Sequence, residues 1–182
     1  MIRLRARDGH ELDAYLARPS SRVRGGIVIA QEMYGVNDYL RSVCDFYAAQ
    51  GYIAIAPALY DRKQRGLTYT YSKTDHDRAQ QTYTAWSLDD AVADLNAAHD
   101  AIADAGKIAI IGFCWGGSLA WLSACRSDYA GAVSYYGSMI PDLARAPALP
   151  GHSPYRRQGH VIAGGARRDL PRGATVGSGV HL

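Results

Sequence analysis

Residues 112–117, Gly-Phe-Cys-Trp-Gly-Gly, place Cys114 at the centre of a Gly-x-Cys-x-Gly pattern. An apolar run at 107–111, typical of a buried strand, precedes this pattern, and a helical run at 118–125 follows it. A nucleophile between a strand and a helix is the arrangement of a nucleophile elbow, whose sharp turn requires small flanking residues. The N-terminus of the following helix favours a thiolate. The pattern therefore predicts that Cys114 is a nucleophile in a strained turn.

The alternative is that Cys114 is a small core residue, because a lone Gly-x-Cys-x-Gly pattern is weak and most buried cysteines only pack. The flanking strand and helix favour the nucleophile. Cys44 lies in the helical run 39–47 and Cys125 ends the helix after the elbow, so core packing is the better interpretation of both.

Short apolar runs alternate with helical patterns on either side of this motif. The predicted strands are 3–7, 11–17, 26–30, 52–56, 107–111 and 131–136. The predicted helices are 37–50 and 75–105, the second broken near Ser87, and residues 62–74 are predicted to form a surface loop. An initial hairpin followed by this alternation indicates an α/β domain with a mainly parallel sheet.

Polar or reactive residues follow several of these strands. Ligands of such folds bind at the carboxyl ends of the strands. Four segments lie at those ends in the predicted order: Gln31-Glu32, Pro57, Cys114 and Tyr136.

With these motifs the chain resembles the dienelactone hydrolase family, which comprises carboxymethylenebutenolidase-like α/β-hydrolases. The matching motifs are Gln-Glu-Met-Tyr-Gly-Val-Asn at 31–37, Pro-Ala-Leu-Tyr at 57–60, the elbow at 112–117 and Tyr-Tyr-Gly at 135–137. They keep the family's order and spacing over roughly residues 1–145. The resemblance implies hydrolysis of lactones and carboxylic esters through a thioester acyl-enzyme.

The resemblance also implies the roles of the site residues. Cys114 is expected to be the nucleophile, and Glu32 the carboxylate that contacts the resting thiol and takes its proton. The backbone N–H groups of Trp115 and Met33 match the donors of the family's oxyanion hole, which stabilise the developing negative charge. The alternative interpretation of Glu32 is a solvated carboxylate on a loop.

Three aromatic residues match positions that line the family's substrate pocket: Tyr83, Trp86 and Tyr136. Ordinary core packing is the alternative interpretation of these side chains. The family's best-studied branch places an arginine four residues before the position of Tyr83, where it holds a substrate carboxylate. This chain has Ala79 there, with Arg78 offset by one residue, so specificity for acidic dienelactones is not implied.

The resemblance ends near residue 146. The family requires an acid after the next strand and a histidine in a later loop, and none of the candidates in this chain lies in a matching motif: Asp142, His152, His160, Asp169 and His181. Residues 146–182 are rich in Gly, Pro and Arg, which resists packing. We expect an α/β-hydrolase domain over 1–145 and an irregular tail over 146–182, either translated out of frame or divergent and disordered. An incomplete sheet would expose an edge and lower stability.

Composition narrows the remaining function classes. The chain has 182 residues, 48% of them hydrophobic, and a formal charge of +3, which predicts a globular domain without a nucleic-acid-binding surface. No signal peptide or long apolar span is apparent, so a cytoplasmic protein without a membrane partner is expected. Scattered Cys and His indicate no metal site, and no phosphate-binding or dinucleotide fingerprint indicates a cofactor.

Two other functions remain open from the sequence. One is another thiol acyl-transfer reaction on the same fold. The other is a catalytically impaired, truncated domain, which could acylate Cys114 but would release the product slowly because the acid and histidine are missing. The substrate is expected to be a small lactone or ester, and the sequence does not define the oligomeric state.

Overall fold

Hydrophobic segments distributed along the whole chain pair into one mixed, seven-stranded sheet. The computed structural model describes residues 1–145 and 160–164. The strands are β1 Ile2–Arg5, β2 Glu11–Ala17, β3 Gly25–Ala30, β4 Tyr52–Pro57, β5 Ile108–Phe113, β6 Gly131–Tyr135 and β7 His160–Gly164. Each of the six predicted strands is confirmed, with no end displaced by more than two residues.

The sheet has the order β1-β2-β4-β3-β5-β6-β7. β1 pairs antiparallel with β2, and β2 with β4, while the remaining neighbours are parallel. The predicted hairpin and mainly parallel sheet are therefore confirmed. The ladder between β3 and β5 aligns Ala30 with Gly112. As a result, Glu32 and Cys114, each two residues beyond this pair, leave the sheet at the same edge.

Five helices flank the sheet in the described part of the chain: α1 Asp38–Ala49, α2 Lys73–Thr84, α3 Leu88–Ala101, α4 Trp115–Arg126 and α5 Ile140–Arg145. The predicted helix 37–50 is confirmed as α1, capped by the Asn37 side chain, which accepts from the Leu40 N–H at 3.0 Å. The predicted break near Ser87 is also confirmed, because its hydroxyl caps α3 by accepting from the Asp90 N–H.

The prediction of a surface loop over residues 62–74 was wrong about where the loop ends. α2 begins at Lys73, because the Ser72 hydroxyl accepts from the Asp75 N–H and caps the helix two residues earlier than expected. The loop is also anchored to the core, since Tyr69 is buried and its N–H donates to the Tyr34 carbonyl at 2.9 Å.

Alternate residues of the central strands fill two cores on opposite faces of the sheet. Val28 and Ala30 lie in the core beneath α3 and α4, whereas Ile27 and Ile29 lie in the core beneath α1. Burial on both faces explains why the central strands are almost wholly apolar. The cores hold the strand ends, and the loops that follow them, in a fixed relation.

The strand β7 pairs parallel with β6 and extends the sheet into the segment 146–182 that we predicted to be irregular. The rest of that segment lies outside the described residues, so the boundary at 145 stays a prediction. Among the described residues, no helix is long and apolar enough to cross a membrane.

Candidate functional site

Cys114 stands alone between β5 and α4, at the carboxyl end of the strand and directly before the first turn of the helix. Its φ of 54° and ψ of −122° lie in a region that residues other than glycine rarely adopt. Backbone bonds hold this conformation: the Cys114 N–H donates to the Tyr135 carbonyl at 3.0 Å, and its carbonyl accepts from the Gly117 N–H at 2.9 Å. The predicted strained turn is confirmed.

Close packing of backbones explains the glycines around the cysteine. A Cβ atom on Gly116 would overlap the carbonyl oxygens of Ala30 and Gln31, and one on Gly112 would overlap the backbone of Gly116. The first turn of α4 therefore lies directly against the end of β3. This contact brings the loop after β3 beside Cys114.

The surroundings of the Cys114 thiol shift its pKa in opposite directions. Partial burial raises the pKa of Cys114, the nearby negative charge of Glu32 raises it further, and a hydrogen bond from the Trp115 N–H to the sulfur lowers it. The net pKa is above the ordinary value of a thiol. The resting group is therefore protonated at neutral pH, and a nucleophilic attack requires a proton acceptor.

Glu32 lies in the loop after β3, half-buried and close enough to Cys114 to affect its ionisation. Two phenol groups hold the carboxylate: the Tyr136 hydroxyl donates to Oε1 at 3.0 Å and the Tyr71 hydroxyl to Oε2 at 3.3 Å. Burial and the charge of Glu32 raise the pKa of Tyr136, so this hydroxyl stays protonated and remains a donor. The predicted residues Cys114, Glu32 and Tyr136 thus come together in one site.

The two predicted oxyanion-hole donors belong to the elbow and to the loop after β3. Trp115 is the first residue of α4, so its N–H has no partner within the helix. Met33 is buried, and the hydroxyl of the buried Tyr60 donates to its carbonyl at 2.7 Å. This bond anchors the loop that carries the Met33 N–H. Both placements suit the expected role, which stays a prediction.

Tyr83 and Trp86 pack against the buried aromatic residues Trp115 and Tyr60, respectively. The Tyr83 ring centroid lies 5.9 Å from that of Trp115, and Trp86 contacts Tyr60 with the centroids 5.2 Å apart. Both side chains are half-buried against the core beneath α3 and α4. Core contacts account for both, and a contact with substrate stays a prediction.

Residues that the sequence did not single out complete the wall beside Glu32. Tyr71 donates to the carboxylate, the Tyr34 ring lies 4.5 Å from the Tyr71 ring, and the Tyr34 hydroxyl is 2.8 Å from Nδ1 of His76. Tyr34 belongs to the motif 31–37, which was a signal that it lies near the site. Tyr71 and His76 carried no such signal, because their loop and helix have no recognisable motif.

The candidates for the missing acid and histidine are only partly covered by the structure. Asp142 lies on α5, whereas His152, Asp169 and His181, and the side chain of His160, lie outside the described residues. Within 1–145 and 160–164, no group of three or more His, Cys, Asp and Glu side chains could hold a metal ion.

Comparisons with known proteins agree with this geometry. A sequence model of the Dienelactone hydrolase family matches residues 12–169. The carboxymethylenebutenolidase of Pseudomonas putida is 34% identical over 157 residues, which cover 81% of this chain and 65% of the relative. A putative carboxymethylenebutenolidase of Yersinia pestis is 33% identical over 136 residues, which cover 72% of this chain and 51% of the relative.

A solved structure has the same architecture. The putative dienelactone hydrolase of Klebsiella pneumoniae superposes with a TM-score of 0.67 and 26% identity, covering 89% of this chain and 70% of that one. Of the two curated relatives described above, the chain spans less than two thirds of the length of each. The family match nonetheless covers most of the chain and includes the elbow and the Glu32 loop, so the chain belongs to the dienelactone hydrolase family.

Proposed function

We propose that this chain hydrolyses lactones and carboxylic esters through a thioester formed on Cys114. The observation that carries the proposal is the strained Cys114 at the N-terminus of α4, with the Glu32 carboxylate beside it. Membership of the dienelactone hydrolase family supports the same reaction class. The curated relatives named as carboxymethylenebutenolidases support a lactone as the substrate type.

The first step joins the Cys114 sulfur to the carbonyl carbon of the substrate. The thiol proton passes to Glu32, so that the pair carries one negative charge both before and after the transfer. Burial and, to a smaller extent, the negative charge of Glu32 raise the pKa of Cys114, and this transfer avoids placing two anions side by side. The tetrahedral intermediate then collapses: the bond from carbon to the leaving oxygen breaks, and that oxygen takes up the proton held by Glu32, which restores the carboxylate.

The negative oxygen of the intermediate needs donors that are already in position. The N–H groups of Trp115 and Met33 are proposed to supply them, and each such donor contributes about 3 kcal/mol in comparable enzymes. The hydrogen bond from Tyr60 to the Met33 carbonyl keeps that loop in place.

The second step is attack of water on the thioester carbon, which breaks the carbon–sulfur bond, releases the acid and restores the thiol. It requires a base for the water, which the family resemblance assigns to a histidine beyond residue 145. The impaired, truncated hydrolase is the second candidate function, because no histidine in the tail lies in a matching motif.

We further propose an uncharged substrate. Ala79, in the position where the resemblance implies an arginine, is fully buried. The neighbouring Arg78 lies over the Tyr69 ring at 5.7 Å and beside Asp75 at 3.4 Å. The groups described next to Cys114 are a carboxylate and phenols, which do not favour a substrate carboxylate.

The test is rapid-mix kinetics with p-nitrophenyl acetate, following nitrophenolate release. Acylation of Cys114 predicts a burst of one equivalent, and Cys114→Ala is expected to reduce the burst rate about a thousandfold or more. Cys125→Ala is the matched control, because that thiol lies buried on the same helix and should be dispensable. No burst, or an unchanged burst in Cys114→Ala, would contradict the proposal.

The steady state after the burst separates the two candidate functions. Sustained turnover indicates a base in the chain that completes hydrolysis, whereas a burst with almost no turnover indicates the impaired domain. A nitrophenyl ester that carries a free carboxylate tests the substrate class. A burst rate with this ester above that with the acetate would contradict the preference for uncharged substrates.

A further inference from the structure

The hydrogen bond between Tyr34 and His76 has no part in the reaction described above. The Tyr34 hydroxyl lies 2.8 Å from Nδ1 of His76, which is exposed to solvent on the first turn of α2. In a neutral imidazole one nitrogen donates a hydrogen bond and the other accepts one, whereas both donate in the protonated ring. In the Nε2–H tautomer of the neutral ring, Nδ1 accepts from the Tyr34 hydroxyl. The direction of this bond therefore depends on whether the ring carries a proton.

Tyr34 connects His76 to the reacting groups. Its ring lies 4.5 Å from that of Tyr71, whose hydroxyl donates to Glu32. Burial raises the pKa of Tyr34, and the negative charges of Glu32 and of the Cys114 thiolate raise it further. The Tyr34 hydroxyl is thus within electrostatic reach of both members of the proposed catalytic pair.

Backbone contacts fix the position of Tyr34. Its carbonyl accepts from the Tyr69 N–H at 2.9 Å, and the Gly35 N–H donates to the Glu32 carbonyl at 3.3 Å. The Ser72 cap fixes the start of α2, on which His76 lies. Because the Tyr34 loop and the start of α2 are both held in place, a change at His76 alters its hydrogen bond with Tyr34 rather than the distance between the loop and the helix.

We propose that His76 is a positioning residue whose protonation reverses its hydrogen bond with Tyr34 and releases the Tyr34 hydroxyl hydrogen to the anionic Cys114–Glu32 pair. With neutral His76 in its Nε2–H tautomer, the Tyr34 O–H donates its hydrogen to Nδ1, so this hydrogen is not available to that pair. With protonated His76, Nδ1–H donates to the phenol oxygen, and the hydroxyl hydrogen turns to another acceptor. One proton is added to the imidazole, and Tyr34 keeps its own.

The proposal rests on the proposed function and adds a pH dependence to it. A donor to the Cys114–Glu32 pair offsets part of its negative charge, which makes the thiolate easier to form. Histidine ordinarily titrates between about pH 5 and 8. We therefore expect the thiol to be more reactive at the acidic end of this range than the ionisation of Cys114 alone would allow.

Other charged groups surround His76. On α2, Lys73 lies one turn earlier and Asp75 and Asp77 are sequence neighbours, with Asp75 bound to the Thr70 hydroxyl at 2.7 Å. From the facing loop, the groups are Tyr34 itself and, beyond it, Glu32. The surrounding charges remain constant in the variants below, which change only the imidazole or the phenol hydroxyl.

The test is the rate of Cys114 alkylation by iodoacetamide from pH 5 to 9, located by peptide mapping, in the full chain. We expect His76→Gln and Tyr34→Phe each to lower the rate at pH 5.5 about threefold relative to the wild type, and to leave it nearly unchanged at pH 8. The double variant should show no further decrease, because both changes break the same connection. His99→Gln is the matched control, since this histidine lies on α3 and its ring contacts Tyr129.

If His76→Gln leaves the pH dependence of the Cys114 alkylation rate as it is in the wild type, the proposal is overturned. A Tyr34→Phe variant that keeps the wild-type profile would also overturn it, because charge alone would then act without the hydroxyl. Alkylation requires no ester hydrolysis, so the result is independent of the kinetic test above. Loss of the nitrophenyl ester burst with an intact His76 effect would refute the proposed function and leave this inference standing.

Discussion

Cys44 and Cys114 carry the same thiol in opposite kinds of surroundings. Cys44 lies in the middle of α1, fully buried among the residues beneath that helix, whereas Cys114 is half-buried in the turn between β5 and α4. Burial raises the pKa of Cys44 to about 12. At Cys114 the same effect is opposed by a hydrogen bond from the Trp115 N–H. The comparison shows that backbone placement, rather than residue type, determines the burial and the hydrogen bonding of each thiol.

Cys125 follows the pattern of Cys44. It is buried near the end of α4, and burial raises its pKa to about 11. The predicted core packing of both cysteines is therefore confirmed. A helix supplies free N–H groups only at its N-terminus, so a cysteine in its middle or near its end receives no such donor.

The largest expected effect of this difference is on alkylation. With limiting iodoacetamide at pH 8, we expect Cys114 to react at least about a hundredfold faster than Cys44, because Cys44 reacts only when α1 opens locally. Peptide mapping by mass spectrometry measures both sites in the same sample. The urea-unfolded chain is the control, in which both thiols should react at similar rates. Comparable labelling of Cys44 in the folded chain would break the comparison.

Substitution of a glycine at the elbow should have the next largest effect, which is a loss of stability. Gly116→Ala places a Cβ against the Ala30 and Gln31 carbonyls, so we expect a loss of about 3 kcal/mol in the free energy of unfolding. Gly66→Ala is the control: its Cβ meets no atom within 4 Å, and only its positive φ opposes the change, at a cost of about 1 kcal/mol. Urea denaturation compares the two. Equal stability of both variants would argue against the close contact of α4 with the end of β3.

The smallest effect concerns the charge beside Cys114. Because the Glu32 carboxylate raises the pKa of Cys114, Glu32→Gln should shift the pH midpoint of alkylation downward, by less than about one unit. The same variant should slow acylation by p-nitrophenyl acetate at neutral pH, because an amide cannot take the thiol proton. Glu11→Gln, on the exposed side of β2, is the control. An upward shift of the midpoint would mean that Glu32 does not act on the thiol through its charge.

Much of the fold was predictable, because each strand has an apolar run and each helix end has a local signal. The Asn37 and Ser87 caps and the elbow glycines are examples, since each acts on residues only a few positions away. The start of α2 was missed because its cap at Ser72 lies in a polar loop where several residues could serve. The strand β7 was left out of the predicted domain because the sequence around it is rich in Gly, Pro and Arg.

The sequence by itself determined the strained turn at Cys114 and the carboxylate that follows β3, because both depend on short-range patterns of backbone geometry. Only the tertiary structure decided what holds that carboxylate. Tyr71 and Tyr136 reach Glu32 across 39 and 104 residues of chain, and Tyr34 reaches His76 across 42. Parallel strands end at one edge of the sheet and bring such distant loops together, and a hydroxyl group in a loop carries no mark of the partner it will meet.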